Sequence, residues 1–137
     1  MMIRLFILLA ILLIGAGIVG LWRLFLRRRM RQLATTPIPE ELTYLVPAGP
    51  ALLYFTTKNC IQCRLQQTPI LTQLATVTQI PVHTIDAVEQ ESLTRFYGVM
   101  TVPTTVWLDK MHRPTAINHG LAGLAQLRQQ AQEIDVV

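Results

Sequence analysis

Cysteine is scarce, with two in 137 residues. A multi-bridge framework of the small secreted kind is therefore excluded, and Cys60 and Cys63 lie too close in the chain to staple distant elements. Charge is sparse at 15%, and aromatic residues reach only 7%. Acid is missing from residues 1 to 32, which carry Arg4, Arg23, Arg27, Arg28, Arg29 and Arg31. Residues 33 to 137 hold six Lys or Arg against eight Asp or Glu, a balance of −2, so the net charge of +4 belongs to the N-terminal segment. The rest of the chain has neither a basic stripe nor aromatics interleaved with Arg to stack on bases, and nucleic acid is not an expected partner. Internal repeats and low-complexity tracts are also lacking.

What the chain has in quantity is apolar surface: 51% hydrophobic residues and a mean hydropathy of +0.39. Much of it lies in one run. Leu5 to Trp22 is 18 residues without a charge, a helical rise of about 27 Å against a hydrocarbon core of about 30 Å. Arg23 can snorkel outward, Trp22 can anchor at the interface, and Arg27, Arg28, Arg29 and Arg31 supply stop-transfer chemistry. Residues 1 to 32 are expected to form a single-pass anchor that partners membrane lipid. A cleaved signal peptide, with Arg4 as its positive start and Gly15-Ala16-Gly17 as its small residues, is the alternative. Five Arg after the span against Arg4 before it place the C-terminal domain on the cytoplasmic side by the positive-inside rule.

Residues 33 to 50 carry Pro37, Pro39, Pro47 and Pro50 and read as a linker, with Leu42 to Val46 as a possible first strand. Ala51 to Thr56 is a short apolar run suited to a strand buried on both faces. Ile61, Leu65, Ile70, Leu71, Leu74 and Val77 recur as the apolar face of a following helix of about five turns, kinked by Pro69. A strand over Ile80 to Asp86, a short helix over Glu89 to Tyr97 stopped by Gly98, strands over Thr104 to Leu108 and Thr115 to His119, and a closing amphipathic helix marked by Leu121, Leu124, Leu127, Ala131 and Ile134 complete the order. The first two strands are expected parallel through a right-handed crossover and the last two antiparallel.

Cys60-Ile61-Gln62-Cys63 falls between a buried strand and a helix start. Free helix N–H groups and the helix dipole favour the thiolate of Cys60, and Cys63, one turn on, is within disulfide reach. Lys58 could add positive field, and Arg64 could meet acidic partners or be a solvated helix charge. A zinc site would need two further ligands, drawn from His83, His112 and His119, whose spacing does not pair as structural zinc ligands do. Trp107 reads as core packing.

Strand, Cys-x-x-Cys, helix, Ile85-Asp86, Tyr97-Gly98-Val99, Val102-Pro103-Thr104 and Gly120 together resemble the thioredoxin family, over roughly residues 42 to 134. The resemblance implies a three-layer α/β/α mixed sheet over residues 51 to 137 and a thiol–disulfide oxidoreductase with Cys60 as nucleophile and Cys63 as resolving thiol. Val102, Pro103 and Thr104 would form the substrate groove, with a cis Val102–Pro103 bond facing the cysteines. The substrate would be a protein thiol or disulfide, recycled by a reductase or a thiol, with no cofactor or metal implied. The sequence departs from the family in four places. Asn59 replaces the Trp before the first Cys, Ile61-Gln62 replaces Gly-Pro, Tyr54 replaces the buried Asp, and Pro69 falls six rather than five residues after the second Cys. A tethered adaptor with inert cysteines and a soft-metal carrier remain alternatives.

Overall fold

The computed structural model describes residues 2–135; residue 1 and residues 136 and 137, the end of the expected domain, lie outside it. The chain divides into two compact units, 1–35 and 36–137. The first is one helix, α1 (Met2–Thr35). It is long and apolar enough to cross a membrane, and its apolar side chains are exposed along their length. The helix runs three residues past the boundary expected at residue 32.

The second unit opens with α2 (Glu40–Leu45) where a strand over Leu42 to Val46 was expected. The physical reason lies in the flanks. Pro39 precedes the first turn, Glu40 and Glu41 sit at its positive end, and Leu42 and Val46, four apart, are the two positions that become buried. A strand would turn Tyr44 to the same side as Leu42 and Val46, whereas Tyr44 is exposed, as a helix requires.

Then follow β1 (Ala51–Thr56), a helical stretch ending in α3 (Thr68–Thr78), β2 (Val82–Asp86), α4 (Glu91–Phe96), β3 (Thr104–Leu108), β4 (Pro114–His119) and α5 (Leu124–Asp135). The sheet order is β2-β1-β3-β4, with β1 parallel to β2 and antiparallel to β3, and β3 antiparallel to β4. This is the expected mixed sheet in three layers. On one face Leu53, Phe55, Ile85 and Val106 pack with Leu42 of α2 and Leu93 of α4. On the other, Leu52, Tyr54 and Trp107 pack with Leu71 and Leu74 of α3 and Leu127 and Ala131 of α5. Trp107 is fully buried, and its indole N–H donates to Gln130 Oε1 at 3.0 Å. Asn118 on β4 exchanges amide hydrogen bonds with that same Gln130, at 2.9 Å in each direction, tying α5 to the sheet.

Gly98 takes φ +63° after α4, with its N–H on the Arg95 carbonyl and the Val99 N–H on that of Thr94, a left-handed helix end that glycine adopts at little cost. The β3–β4 turn is organised by Asp109, whose Oδ1 accepts the Met111 and Arg113 N–H groups at 2.8 and 2.9 Å while Oδ2 accepts Arg113 Nε at 2.9 Å.

Partial burial pushes the Asp109 carboxyl up, but the backbone N–H groups of Arg113 and Met111 and the Arg113 guanidinium outweigh it and hold the pKa below its ordinary value. A depressed folded pKa gives stability that is present above the unfolded value of about 3.9 and is lost as pH falls through the folded one. Asp109→Ala is expected to cost about 1–2 kcal/mol at neutral pH. Denaturant midpoints of the variant and the parent chain should converge as the pH is taken below about 3.9.

Candidate active site at the carboxyl end of the first strand

The register of β1 on β3 pairs Phe55 with Thr104, and that of β3 on β4 pairs Thr104 with His119. The segment after β1, the segment before β3 and the segment after β4 are therefore brought to one end of the sheet. Cys60 and Cys63 lie in the first, Val102 and Pro103 in the second, and Gly120 to Gly123 in the third. The Val102–Pro103 bond is cis, and Pro103 and Thr104 are buried while Val102 is half-buried.

Cys60 and Cys63 are joined in a disulfide, with S–S 2.04 Å and Cα–Cα 5.2 Å. Cys60 is half-buried and Cys63 fully buried, so the outer sulfur is the one a partner can reach. The Cys63 N–H points at Cys60 Sγ at 3.1 Å. Once the pair is reduced, that N–H is placed to donate to a Cys60 thiolate.

The helix behind the cysteines departs from expectation. Cys63–Gln67 is a π turn, with the Thr68 N–H bonded to the Cys63 carbonyl, and α3 begins only after it. Proline has no N–H and its ring crowds the carbonyl four residues back, so an α-helical bond from Pro69 to Leu65 is not available. The wider i→i+5 register skips that bond and absorbs one additional residue without breaking the helix. This accounts for the six-residue spacing from Cys63 to Pro69.

The π turn also changes which face is buried. Ile61, Leu65 and Val77, expected in the apolar stripe, are 63%, 72% and 54% exposed, while Cys63, Gln67, Leu71 and Leu74 point inward. Gln67 is thus a wholly buried polar residue that apolar periodicity passes over. The signal was its four-residue spacing from both Cys63 and Leu71. The displaced Ile61 and Leu65, with Met100 before the proline loop and Leu121 after β4, put exposed apolar side chains on the segments that meet at this end.

Tyr54, at the position of the family's buried acid, is buried in the same cluster as Cys63, and its hydroxyl pairs with Thr68 Oγ1 at 3.3 Å. Lys58 does not direct its charge to the cysteines. Its ammonium is exposed and bound to Glu89 Oε1 at 2.6 Å, and that hydrogen bond with the Glu89 and Asp86 charges raises its pKa. Arg64 is exposed. His83, His112 and His119 lie on β2, in the β3–β4 turn and at the end of β4, and among the described residues no three His, Cys, Asp or Glu side chains gather as a metal site. An open groove of about 980 Å³ runs between α3 and β2, lined by Tyr54, Thr72, Thr76, Val82 and Thr84, and neither cysteine lines it.

Solved structures that share this fold include thioredoxins. A thioredoxin of Halobacterium salinarum carrying a single substitution matches with 25% identity over 72% of this chain and 87% of its own, at a TM-score of 0.62. The chain resembles the thioredoxins in fold and carries a Cys60–Cys63 pair at CxxC spacing. Thioredoxin 1 of Thermosipho africanus matches with 23% identity over 61% of this chain and 91% of its own, TM-score 0.54. The oxidised thioredoxin O2 of Arabidopsis thaliana matches with 20% identity over 69% and 84%, TM-score 0.57. No family profile and no curated protein sequence matches the chain. The thioredoxin-like fold with its Cys60–Cys63 disulfide supports thiol–disulfide oxidoreductase chemistry in general.

Because Lys58 spends its charge on Glu89 in full solvent, Lys58→Ala should leave the thiolate character of Cys60 nearly unchanged. Alkylation of the reduced chain followed against pH should shift its midpoint by no more than a few tenths of a unit.

Proposed function

We propose that the chain is a membrane-anchored thiol–disulfide oxidoreductase acting on protein substrates. One observation carries this reading: the disulfide-bonded pair, outer sulfur accessible and inner sulfur buried, stands at the sheet end that also holds the Val102–Pro103–Thr104 segment. In the reducing direction, the Cys60 thiolate attacks one sulfur of a substrate disulfide. A Cys60–substrate mixed disulfide forms and one substrate thiolate leaves. Cys63, deprotonated, then attacks the Cys60 sulfur, closes the intramolecular disulfide and releases the second substrate thiolate. Two electrons pass to the substrate, and an external dithiol or reductase must restore the pair. The oxidising direction is the same path reversed.

Asymmetric access supports these roles, since a partner disulfide can approach Cys60 in line while buried Cys63 is placed to meet only the Cys60 sulfur. Half-buried Val102 packs against the cluster that contains Cys63, and with Pro103 and Thr104 it would supply the backbone along which a substrate segment lies. Exposed Ile61, Leu65, Met100 and Leu121 suit an apolar stretch of polypeptide around the reacting disulfide. Cys63→Ala is expected to arrest the reaction at the first step. A reduced full-length variant mixed with a disulfide-bonded protein such as insulin should accumulate a mixed disulfide visible by non-reducing electrophoresis, whereas Cys60→Ser should lose more than about 100-fold in rate and trap nothing. An active Cys60→Ser chain would refute the assignment.

The apolar run of α1 and the Arg cluster near its C-terminal end support an anchor with the domain on the cytoplasmic side. A reporter enzyme active only outside the cytoplasm, joined after residue 137, should stay silent, and one active only inside should give signal. The reverse pattern would invert the topology.

A further inference from the structure

Gln67 sits in the π turn four residues past Cys63 and has no solvent exposure. Its amide makes two opposed hydrogen bonds to the backbone of one residue. Nε2 donates to the Ala122 carbonyl at 3.1 Å, and Oε1 accepts the Ala122 N–H at 2.8 Å. Ala122 is itself buried, so this clasp satisfies two backbone groups that water cannot reach. Two residues earlier, the Gly120 N–H donates to the Pro103 carbonyl at 2.8 Å. A continuous path thus runs from the cysteine turn, through Gln67 and the Gly120–Ala122 segment, to the Pro103 loop.

We propose that Gln67 is a positioning residue that sets the cysteine turn against the Pro103 loop and thereby governs the docking of protein disulfides. This rests on the oxidoreductase reading above. The residue type matters because an amide presents a donor and an acceptor side by side, as a neutral carboxylic acid also does and a carboxylate or an apolar side chain does not. The place matters because the π turn shifts the cysteine end of the helix relative to α3, so its position against the proline loop needs a contact of its own. A small disulfide needs access to Cys60 alone. A protein disulfide must in addition lay its backbone along Val102 and Pro103, where a displacement of about 1 Å is enough to cost heavily in rate.

The test uses the full-length chain in detergent micelles, with the cysteine pair reduced beforehand. Second-order rates are measured against insulin and against dithiobis-nitrobenzoate, a small aromatic disulfide, and the insulin-to-reagent ratio is compared. In Gln67→Leu the ratio is expected to fall about tenfold with the small-reagent rate nearly kept. Gln67→Glu supplies the second arm, since a buried carboxyl titrates above its ordinary range. Its ratio should match the parent at about pH 5, where the neutral acid restores the clasp, and approach that of Gln67→Leu at about pH 8. Taking the ratio at each pH cancels the thiolate fraction common to both reactions. A ratio in Gln67→Leu within about twofold of the parent overturns the role of Gln67, as does an equal loss against both disulfides, which marks a purely structural residue. If Gln67→Leu does not fold, the pH dependence of Gln67→Glu decides, and a flat ratio overturns the proposal. A parent chain that reacts with neither disulfide would instead overturn the oxidoreductase reading.

Discussion

The antiparallel pairing of β1 with β3 is the constraint on which the site depends. All five residues of β3 and the first five of β1 are buried, so both strands are committed on both faces. Side chains alternate with period two, and a slip of one residue would send Val106 and Leu108 into the layer of α3 and α5 and drive Trp107 into that of α4. The register is therefore held by shape and volume across the whole sheet. Its consequence is local: Phe55 must face Thr104, so whatever follows β1 must meet whatever precedes β3. The cysteine segment and the proline segment share an end because β1 and β3 run antiparallel with Phe55 opposite Thr104.

That constraint fixes the ends of strands and leaves the helix behind the cysteines to be adjusted separately. The chain has one residue more between Cys63 and Pro69 than the family spacing, and an extra residue in a helix must either unwind it or be taken up as a π turn. The second solution keeps Leu71 and Leu74 in the core of α3 and carries the additional residue toward the site. It also turns Gln67 inward, where a buried amide is costly unless both of its functions are met. Ala122 meets both, and in doing so has its own buried N–H and carbonyl met. Proline position, π turn, buried glutamine and the loop after β4 form one set of mutually dependent features.

Much of this fold was legible in the chain. The strands announce themselves as short runs of apolar and β-branched residues, Gly98 marks the end of α4, and Asp109 to Pro114 marks the hairpin. What was not legible follows from the limits of apolar periodicity. Around α2 the signal reduces to Leu42 and Val46, a pair at helical spacing embedded among prolines that suggest extended chain. Along the cysteine helix, counting only apolar residues selects Ile61 and Leu65 and misses Gln67, since the buried face there includes a polar side chain and the phase shifts across the π turn. The Cys pair and the Val-Pro-Thr run stand out as motifs, but the clasp between Gln67 and Ala122 joins residues 55 apart in sequence and leaves no local trace.

The charge around the cysteines bears on how they can work. Lys58 is neutralised by Glu89, Arg64 projects into solvent, and the position where the family has a carboxylate is a tyrosine whose hydroxyl meets Thr68. Exposed charges in water interact weakly beyond a few ångströms, about 1 kcal/mol even at 4 Å in bulk solvent. The stabilisation available to a Cys60 thiolate then comes from the backbone, through the Cys63 N–H and the first turn of the helix, which the disulfide already holds in place at 3.1 Å. Backbone donors are fixed by the fold and do not titrate, so the reactivity of the outer sulfur is tied to the geometry of the turn that carries it. Gln67 touches neither the Cys63 N–H nor the sulfur: its two bonds go to the Ala122 backbone, so what it holds is the place of the turn against the loop after β4 and not the donors at Cys60.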